Sequence, residues 1–220
     1  MTRRNLDLSL YLVTDEELAD HRPLEQIVRS AIEGGVTAVQ IREKKASTRR
    51  FVDSARTMRS ITAEAGVGLI VNDRIDVALA VDADGVHVGQ NDMPATVARG
   101  LIGVDRILGV TASNAEQARE AARAGADYIG CSAVFTTPTK IDTGAPLGLR
   151  GLEGLVSATG LPVVAIGGIH PGNVRSVMGT GVVGVAVVSA IVAAADPRAA
   201  AEQIREMVTR SRAGKKARSS

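Results

Sequence analysis

The sequence contains no tryptophan, and only two tyrosines and two phenylalanines stand among its 220 residues. A hydrophobic core must therefore be built from Val, Ile, Leu and Ala, which are typical of buried parallel strands and barrel interiors. The single cysteine, Cys131, excludes an internal disulfide, and no Cys and His residues have the spacing of a zinc site. These absences indicate an aliphatic α/β protein of a reducing compartment, and we expect a cytoplasmic location.

The sequence also lacks a hydrophobic run long enough for a secretory signal or a membrane span. The net charge is +2, but residues 210–220 carry five basic residues and no acidic one, which leaves 21 basic and 24 acidic residues elsewhere. Lys215, Lys216 and Arg218 lie there among Ser, Ala and Gly, without aromatic residues. We predict a catalytic domain over residues 1–209, a disordered basic tail over 210–220, and neither a membrane nor a nucleic acid as partner.

Short runs rich in Val, Ile and Leu alternate with helix-compatible stretches, as expected of repeated strand–helix units. Strands are predicted at about residues 8–13, 36–41, 67–71, 84–88, 106–110, 127–130, 162–166 and 182–188. Helices are predicted over 23–33, 47–65, 114–124 and 197–212, with Asn114 as an N-cap. A doubly wound sheet usually has its key site at one strand-order switch, whereas polar clusters here follow at least six strands. We therefore predict an α/β fold, a single TIM (β/α)8 barrel, with its site at the strand C-termini.

Two aspartates, Asp73 and Asp92, follow consecutive predicted strands. Neighbouring parallel strands lie roughly 4.8 Å apart, so two such carboxylates can share one hard cation. Magnesium suits them because it takes oxygen ligands and keeps places for water and substrate phosphate. An isolated aspartate at such a turn is more often a helix cap. The nearby cations Arg42, Lys44 and Lys140 favour the metal site, because they can neutralise a polyphosphate that also binds the metal.

The last strand–helix turns predict a second phosphate site. Gly167 and Gly168 follow the seventh strand and Ser189 follows the eighth, where barrels often bind phosphate through backbone N–H groups. A long predicted loop over residues 132–146 contains four threonines and Lys140. Loops of this length are uncommon unless they bind a ligand or cover a site.

The three histidines do not indicate acyl transfer. His87 lies inside the fourth predicted strand and is interpreted as a packed barrel residue, and His170 as a helix-start residue. Cys131 ends a buried strand and is interpreted as a small core residue. Because no Ser–His–Asp order or activated thiol is found in the sequence, acyl transfer is disfavoured.

Taken in order, these motifs resemble the thiamine-phosphate synthases, also called thiamine-phosphate pyrophosphorylases. The resemblance covers about residues 10–195 and rests on Gln40-x-Arg42-x-Lys44, Asn72-Asp73, Val88-Gly89-Gln90-x-Asp92, Gly109-Val110-Thr111-Ala112, Thr137-x-Thr139-Lys140, Gly167-Gly168-Ile169 and Val188-Ser189-Ala190-Ile191. It implies a TIM barrel that joins hydroxymethylpyrimidine diphosphate to thiazole phosphate, giving thiamine phosphate and pyrophosphate, with one Mg²⁺ per active site. It also implies a dissociative loss of pyrophosphate, which needs no strong protein base.

The resemblance assigns roles to individual positions. It assigns the pyrimidine diphosphate to Gln40, Arg42, Glu43, Lys44, Asn72, Thr111 and Lys140. It assigns the thiazole phosphate to Thr137, Pro138, Thr139, Gly168, Val188 and Ser189. Asp73 and Asp92 become the metal ligands, and Arg42, Lys44 and Lys140 the catalytic cations. The family more often has Ser where this chain has Thr111.

Two other classes stay open at this stage. A thiazole tautomerase on a similar barrel would need proton-transfer groups and no diphosphate site. A non-catalytic barrel that senses a phosphorylated metabolite would release no pyrophosphate. Small phosphorylated molecules are the expected partners, and whether the chain forms a homo-oligomer is left open.

Overall fold

The computed structural model describes residues 6–137 and 145–219, and the side chains among them as far as residue 214. Its centre is a closed barrel in which each strand pairs in parallel with the next along the chain and β1 pairs with β8. This confirms the predicted TIM barrel. The strands are β1 (Leu10–Val13), β2 (Ala38–Ile41), β3 (Gly68–Asn72), β4 (Gly85–Val88), β5 (Ile107–Ala112), β6 (Tyr128–Ala133), β7 (Val163–Ile166) and β8 (Gly184–Val187).

Helices connect these strands and surround the barrel. A 3₁₀ turn (Glu17–Ala19) and α1 (Leu24–Glu33) follow β1, and two helices, α8 (Ser189–Val192) and α9 (Pro197–Ser219), follow β8. The predicted N-cap Asn114 is confirmed, since its side chain accepts a hydrogen bond from the Gln117 backbone N–H at 2.9 Å. The remaining helices are α2 (Thr48–Glu64), α3 (Ile75–Ala80), α4 (Ala95–Ile102), α5 (Ala115–Arg123), α6 (Gly148–Ala158) and α7 (Val174–Gly179).

The side chains of each strand alternate between two cores. In β1, Leu10 and Leu12 belong to the large cluster between strands and helices. Tyr11 and Val13 belong instead to a smaller cluster inside the barrel. Because successive side chains of a strand point to opposite faces, every second residue lies inside the barrel, and the last of these form the floor of its mouth.

The sixth strand is longer than its apolar run. The prediction ended it at residue 130 and placed residues 132–146 in a loop, but β6 continues through Cys131 and Ser132 to Ala133. The small residues Gly130 to Ser132 interrupt the hydrophobic pattern, yet β6 pairs with β5 as far as Cys131 and with β7 as far as Ala133. Pairing on both edges therefore extends the strand where the hydrophobic pattern alone ends it.

The predicted boundary between residues 209 and 210 does not coincide with a break in the structure. Helix α9 runs without interruption from Pro197 to Ser219, so residues 210–219 are helical where the sequence predicts a disordered tail. Arg212 donates hydrogen bonds to the Ser9 hydroxyl and to the Val183 carbonyl. The tail composition includes Ala, Lys and Arg, which are strong helix formers, and these contacts join its first part to the barrel.

None of the helices in the described residues is long and apolar enough to cross a membrane.

Candidate active site

A cavity opens at the C-terminal ends of the strands and contains most of the predicted site. Every strand contributes residues to its wall, directly or through the turn that follows it. This is the position at which TIM-barrel enzymes bind their substrates. The predicted residues that line it are Gln40, Arg42, Asn72, Thr111, Thr137, Gly168, Val188 and Ser189.

Arg42 is held in place from the first strand–helix connection. Its backbone N–H donates to the Thr14 hydroxyl at 3.1 Å, and its guanidinium lies 3.5 Å from the Asp15 carboxylate. Thr14 and Asp15 directly follow β1 and themselves line the cavity. A guanidinium anchored in this way presents its remaining N–H groups to an anion at small cost in side-chain entropy.

The two predicted metal ligands lie together at the rim, beside the cavity wall. Asp73 has a left-handed backbone with φ of 61°, and the Lys44 ammonium forms an ion pair with its carboxylate. Burial raises the pKa of Asp73, and the adjacent Asp92 carboxyl group raises it further, whereas Lys44 lowers it. Proximity of the two carboxylates, predicted from consecutive strands, is therefore found.

Asp92 does not cap the helix that follows it, as the alternative interpretation expected, because the N-cap of α4 is Pro94 and no side chain caps that helix. Its carboxylate accepts a hydrogen bond from the Gly89 backbone N–H at 2.7 Å, so it stabilises the turn after β4. Only one of its oxygens, Oδ2, is used in that bond. This turn contact and a ligand role are compatible, because a carboxylate has two oxygens and about four lone-pair positions.

Glu43 is not among the residues that line the cavity. Burial and repulsion by the Glu16 carboxylate raise its pKa, while Arg50 lowers it. A carboxylate in this position adds negative charge, and the contact with the pyrimidine diphosphate that the resemblance assigns to Glu43 stays a prediction. Its neighbours Arg42 and Lys44 alternate with it along the chain and carry the positive charge.

The predicted thiazole side of the cavity is formed by the turns after β7 and β8. Gly168 has φ of 65°, and a Cβ at this position would lie 2.8 Å from the Phe135 Cβ. The Asn173 side-chain amide donates to the Gly168 carbonyl at 2.8 Å, which fixes the turn. Val188 and Ser189 lie in the turn after β8, at the start of α8. Pro138, Thr139 and Lys140 lie outside the described residues.

The floor of the cavity contains residues that the sequence did not identify as functional. The Gln40 amide donates to the Tyr11 hydroxyl at 2.8 Å, and this hydroxyl lies 3.0 Å from that of Tyr128. His87 Nδ1 lies 3.0 Å from the Tyr128 hydroxyl, and its Nε2 lies 2.9 Å from the Thr111 hydroxyl. We call these five residues the floor chain. Its signal in the sequence was the position of both tyrosines within predicted buried strands, where each hydroxyl needs a partner.

Cys131 and His87 have the burial that the sequence predicted. Cys131 is 1% exposed, and burial raises the pKa of its thiol to about 12. His87 is 9% exposed and packs inside the barrel, as expected, but it also lines the cavity. Among residues 6–137 and 145–219, no group of three or more His, Cys, Asp or Glu side chains has an arrangement that could hold a metal ion. A metal site here must therefore be completed by other ligands.

Comparisons with known proteins cover nearly the whole chain and agree on one family. The sequence profile of the thiamine monophosphate synthase family matches residues 10–191. The thiamine-phosphate synthase of Moorella thermoacetica is 49% identical over 203 residues, which cover 92% of this chain and 97% of that protein. That of Chloroflexus aurantiacus is 53% identical over 204 residues, covering 93% and 94%.

Solved structures agree with the sequence relatives. The thiamine phosphate pyrophosphorylase from Pyrococcus furiosus superposes with a TM-score of 0.86 at 45% identity, covering 93% of this chain and 97% of that one. A 3-hexulose-6-phosphate synthase, at 19% identity and a TM-score of 0.65, shares the fold alone. With a family match over most of its length, close relatives in sequence and the same barrel in three dimensions, the chain belongs to the thiamine monophosphate synthase family.

Proposed function

We propose that this enzyme joins 4-amino-2-methyl-5-hydroxymethylpyrimidine diphosphate to 4-methyl-5-(2-phosphoethyl)thiazole and releases thiamine phosphate and pyrophosphate. The observation that carries the proposal is the division of one cavity into two polar sides. Gln40, Arg42 and Asn72 stand on the side of β2 and β3, and Gly168 and Ser189 on the side of β7 and β8. Such a cavity can bind two phosphorylated molecules next to each other.

The rim carboxylates fit a magnesium ion by their chemistry. Asp73 and Asp92 supply hard oxygen donors, and two protein carboxylates suit an ion that keeps water and takes phosphate oxygens. Burial and the adjacent Asp92 carboxyl group raise the pKa of Asp73, and a cation bound between the two carboxylates would offset both effects. When bound, Mg²⁺ would offset negative charge on the leaving pyrophosphate.

The residues of the chain supply binding, charge and orientation. Arg42 and Lys44 bring positive charge to the β2 side, where the pyrophosphate would carry the charge that grows as its bond to the pyrimidine breaks. Lys140 is proposed as a third cation, on the sequence motif alone. The aminopyrimidine can donate electrons to its exocyclic carbon, so the thiazole nitrogen captures a carbocation-like centre without a protein nucleophile. The cavity walls exclude water, which would otherwise compete for that centre.

A coupled assay tests the proposal directly. The protein is incubated with both substrates and Mg²⁺, and thiamine phosphate and pyrophosphate are measured together. We expect equal amounts of the two products, and none when either substrate is omitted. Pyrophosphate without thiamine phosphate would contradict the joining reaction, and isomerisation of the thiazole phosphate alone would identify a tautomerase instead. We further propose a cytoplasmic location, which the single buried thiol supports.

A further inference from the structure

The floor chain crosses the inside of the barrel from β2 to β5. Its contacts run from Gln40 to Tyr11, Tyr128, His87 and Thr111, each between 2.8 and 3.0 Å. Tyr11 and Tyr128 are 2% and 1% exposed, and their rings meet edge to face with centroids 6.1 Å apart. Burying a polar group costs folding free energy unless the group is hydrogen-bonded. The floor chain therefore destabilises the fold unless each of its members has a partner.

Two glycines make the central contact of the chain possible. His87 and Tyr128 lie on β4 and β6, and Gly109 of β5 lies between them in register. A Cβ at Gly109 would lie 2.2 Å from Tyr128 Cζ and 2.5 Å from His87 Nδ1. A Cβ at Gly130 would lie 2.8 Å from His87 Cε1. Because neither glycine has a side chain, the His87 ring and the Tyr128 hydroxyl can form a hydrogen bond although their strands are not neighbours.

The hydrogen bonds of the floor chain all run in one direction, because each hydroxyl has a single hydrogen to donate. Gln40 Nε2 donates to the Tyr11 hydroxyl, and among the described residues the acceptor for the single hydrogen of that hydroxyl is Tyr128. The Tyr128 hydrogen is then donated to His87 Nδ1, so the imidazole is neutral with its hydrogen on Nε2. That N–H donates to the Thr111 hydroxyl. The opposite assignment would leave the buried Tyr11 hydroxyl hydrogen without an acceptor in the described part of the chain, a loss of about 1–3 kcal/mol.

We propose that His87, Tyr128 and Tyr11 are positioning residues that hold Gln40 and Thr111 with opposite hydrogen-bonding polarity at the cavity floor. Thr111 accepts from His87 and therefore presents its own hydrogen as a donor, while Gln40 gives its N–H to Tyr11 and presents its amide oxygen as an acceptor. Burial raises the pKa of both tyrosines, so both phenols keep their hydrogens at neutral pH. His87 acts here as a fixed acceptor–donor bridge and transfers no proton.

This polarity gives the cavity floor a preference among flat ring ligands. A ring that carries an exocyclic amine next to a ring nitrogen offers a donor to Gln40 and an acceptor to Thr111. A ring with a carbonyl and an N–H at the same places would face acceptor with acceptor and donor with donor, which costs affinity. This specificity rests on the proposed function, because the aminopyrimidine substrate has the favoured arrangement.

The tautomer of His87 can be measured without any substrate. Two-bond ¹H–¹⁵N correlation spectra separate protonated from unprotonated ring nitrogens, and His87→Gln identifies the His87 signals among those of the three histidines. We expect an unprotonated Nδ1 and a protonated Nε2 in the wild-type protein at neutral pH. In Tyr128→Phe, which removes the donor to Nδ1, we expect loss of the fixed tautomer. A hydrogen on Nδ1, or a doubly protonated ring, would overturn the proposal.

Two substitutions of His87 separate positioning from acid–base catalysis. In His87→Gln the amide oxygen can accept from Tyr128 and the amide N–H₂ can donate to Thr111, whereas His87→Leu supports neither bond. We expect kcat/KM for the pyrimidine diphosphate to fall less than tenfold in His87→Gln and at least a hundredfold in His87→Leu. An equal loss of kcat/KM in both variants would indicate proton transfer by His87. No loss in either would show that the floor chain does not position Gln40 and Thr111. Each of these results contradicts the proposal.

Controls distinguish this proposal from general damage and from failure of the proposed function. Thr62→Val removes another fully buried hydroxyl, which bonds the Arg59 carbonyl within α2 and does not line the cavity, and we expect unchanged kinetics. Circular dichroism checks that each variant folds. If the wild-type protein makes no thiamine phosphate, the proposed function fails, but the tautomer measurement still supports or overturns the floor chain by itself.

Discussion

At the scale of single residues, Asp92 combines a structural and a proposed catalytic role in one side chain. Asp92→Asn separates them, because the amide oxygen can still accept from the Gly89 N–H while the charge is lost. We expect kcat to fall by two or more orders of magnitude, about 3 kcal/mol, since the metal is weakened where charge grows on the leaving group. Pyrophosphate release measured across a Mg²⁺ titration checks this.

The control for Asp92→Asn is Asp82→Asn, which removes an exposed carboxylate that pairs with Arg106 on the outside of the barrel. We expect normal turnover from that variant. Full turnover of Asp92→Asn in chelator-treated buffer would show that Asp92 only stabilises the turn after β4.

Cys131 gives a prediction that depends on burial alone. Its pKa is raised to about 12, so at pH 8 its thiolate fraction lies far below that of an ordinary cysteine. We expect alkylation of the native protein to be about a thousandfold slower than of the urea-unfolded protein, because the thiolate is the reactive form. Mass spectrometry after timed labelling measures the ratio. Comparable rates in the two states would mean that the strand around Cys131 opens readily.

The site residues that the sequence identified are placed by the strands that carry them, whereas those that it missed depend on contacts between different strands. Arg42, Asp73, Asp92 and Ser189 stand in short motifs at strand ends, so position along the chain suffices to place them at one mouth. His87 was placed correctly in a strand, but its bond to Tyr128 depends on strand pairing across Gly109. Contacts between side chains two strands apart follow from barrel closure, which no local pattern encodes.

At the scale of elements, the composition of the last part of α9 predicts a disordered tail, whereas its contacts are those of a packed helix. Its last part reads as a solvated tail by charge, yet Arg212 bonds Ser9 and the Val183 carbonyl. The described strands and the helices that were predicted begin and end within a few residues of expectation, because aliphatic runs mark buried strands well. The departures, in β6 and α9, occur where tertiary contacts rather than local apolar residues set the end of the element.

A pair of truncations tests the contribution of α9. Deletion of residues 210–220 removes Arg212 and its hydrogen bonds, and we expect a loss of about 1–3 kcal/mol, or a fall in Tm of several degrees. Deletion of residues 215–220 keeps Arg212 and should leave Tm nearly unchanged. Thermal unfolding followed by circular dichroism compares the two. Equal stability of both truncated proteins would support the boundary at residue 209 that the composition suggested.

At the scale of the whole molecule, barrel closure places the two proposed phosphate sites at one mouth but on different strands. Residues 40–42 lie at the C-terminal end of β2 and residues 167–168 follow β7, yet all four of Gln40, Arg42, Gly167 and Gly168 line one cavity. This arrangement predicts that the two substrate sites can be weakened independently. Gly168→Val is a poor probe of it, because the positive φ and the Phe135 contact would strain the turn itself.

Ser189→Ala and Arg42→Ala provide the better pair, one substitution on each side of the cavity. Ser189 is exposed at the start of α8, so its hydroxyl can be removed without opening the core. We expect Ser189→Ala to raise KM for thiazole phosphate about tenfold, as for loss of one charge-assisted hydrogen bond, and to leave binding of the pyrimidine diphosphate unchanged. Arg42→Ala should do the reverse, with a larger effect, about a hundredfold, because a full charge is lost.

Titration calorimetry with each substrate separately, alongside initial rates, distinguishes the outcomes of this pair. Independent sites predict that the two free-energy changes add in the double variant, since the residues share no partner. Arg42 contacts Thr14 and Asp15 after β1, whereas Ser189 belongs to the helix after β8, so neither substitution removes a hydrogen bond of the other. Weakened binding of both substrates by Ser189→Ala alone would mean that the two sides of the mouth form a single site, and the division of the cavity proposed here would then be wrong.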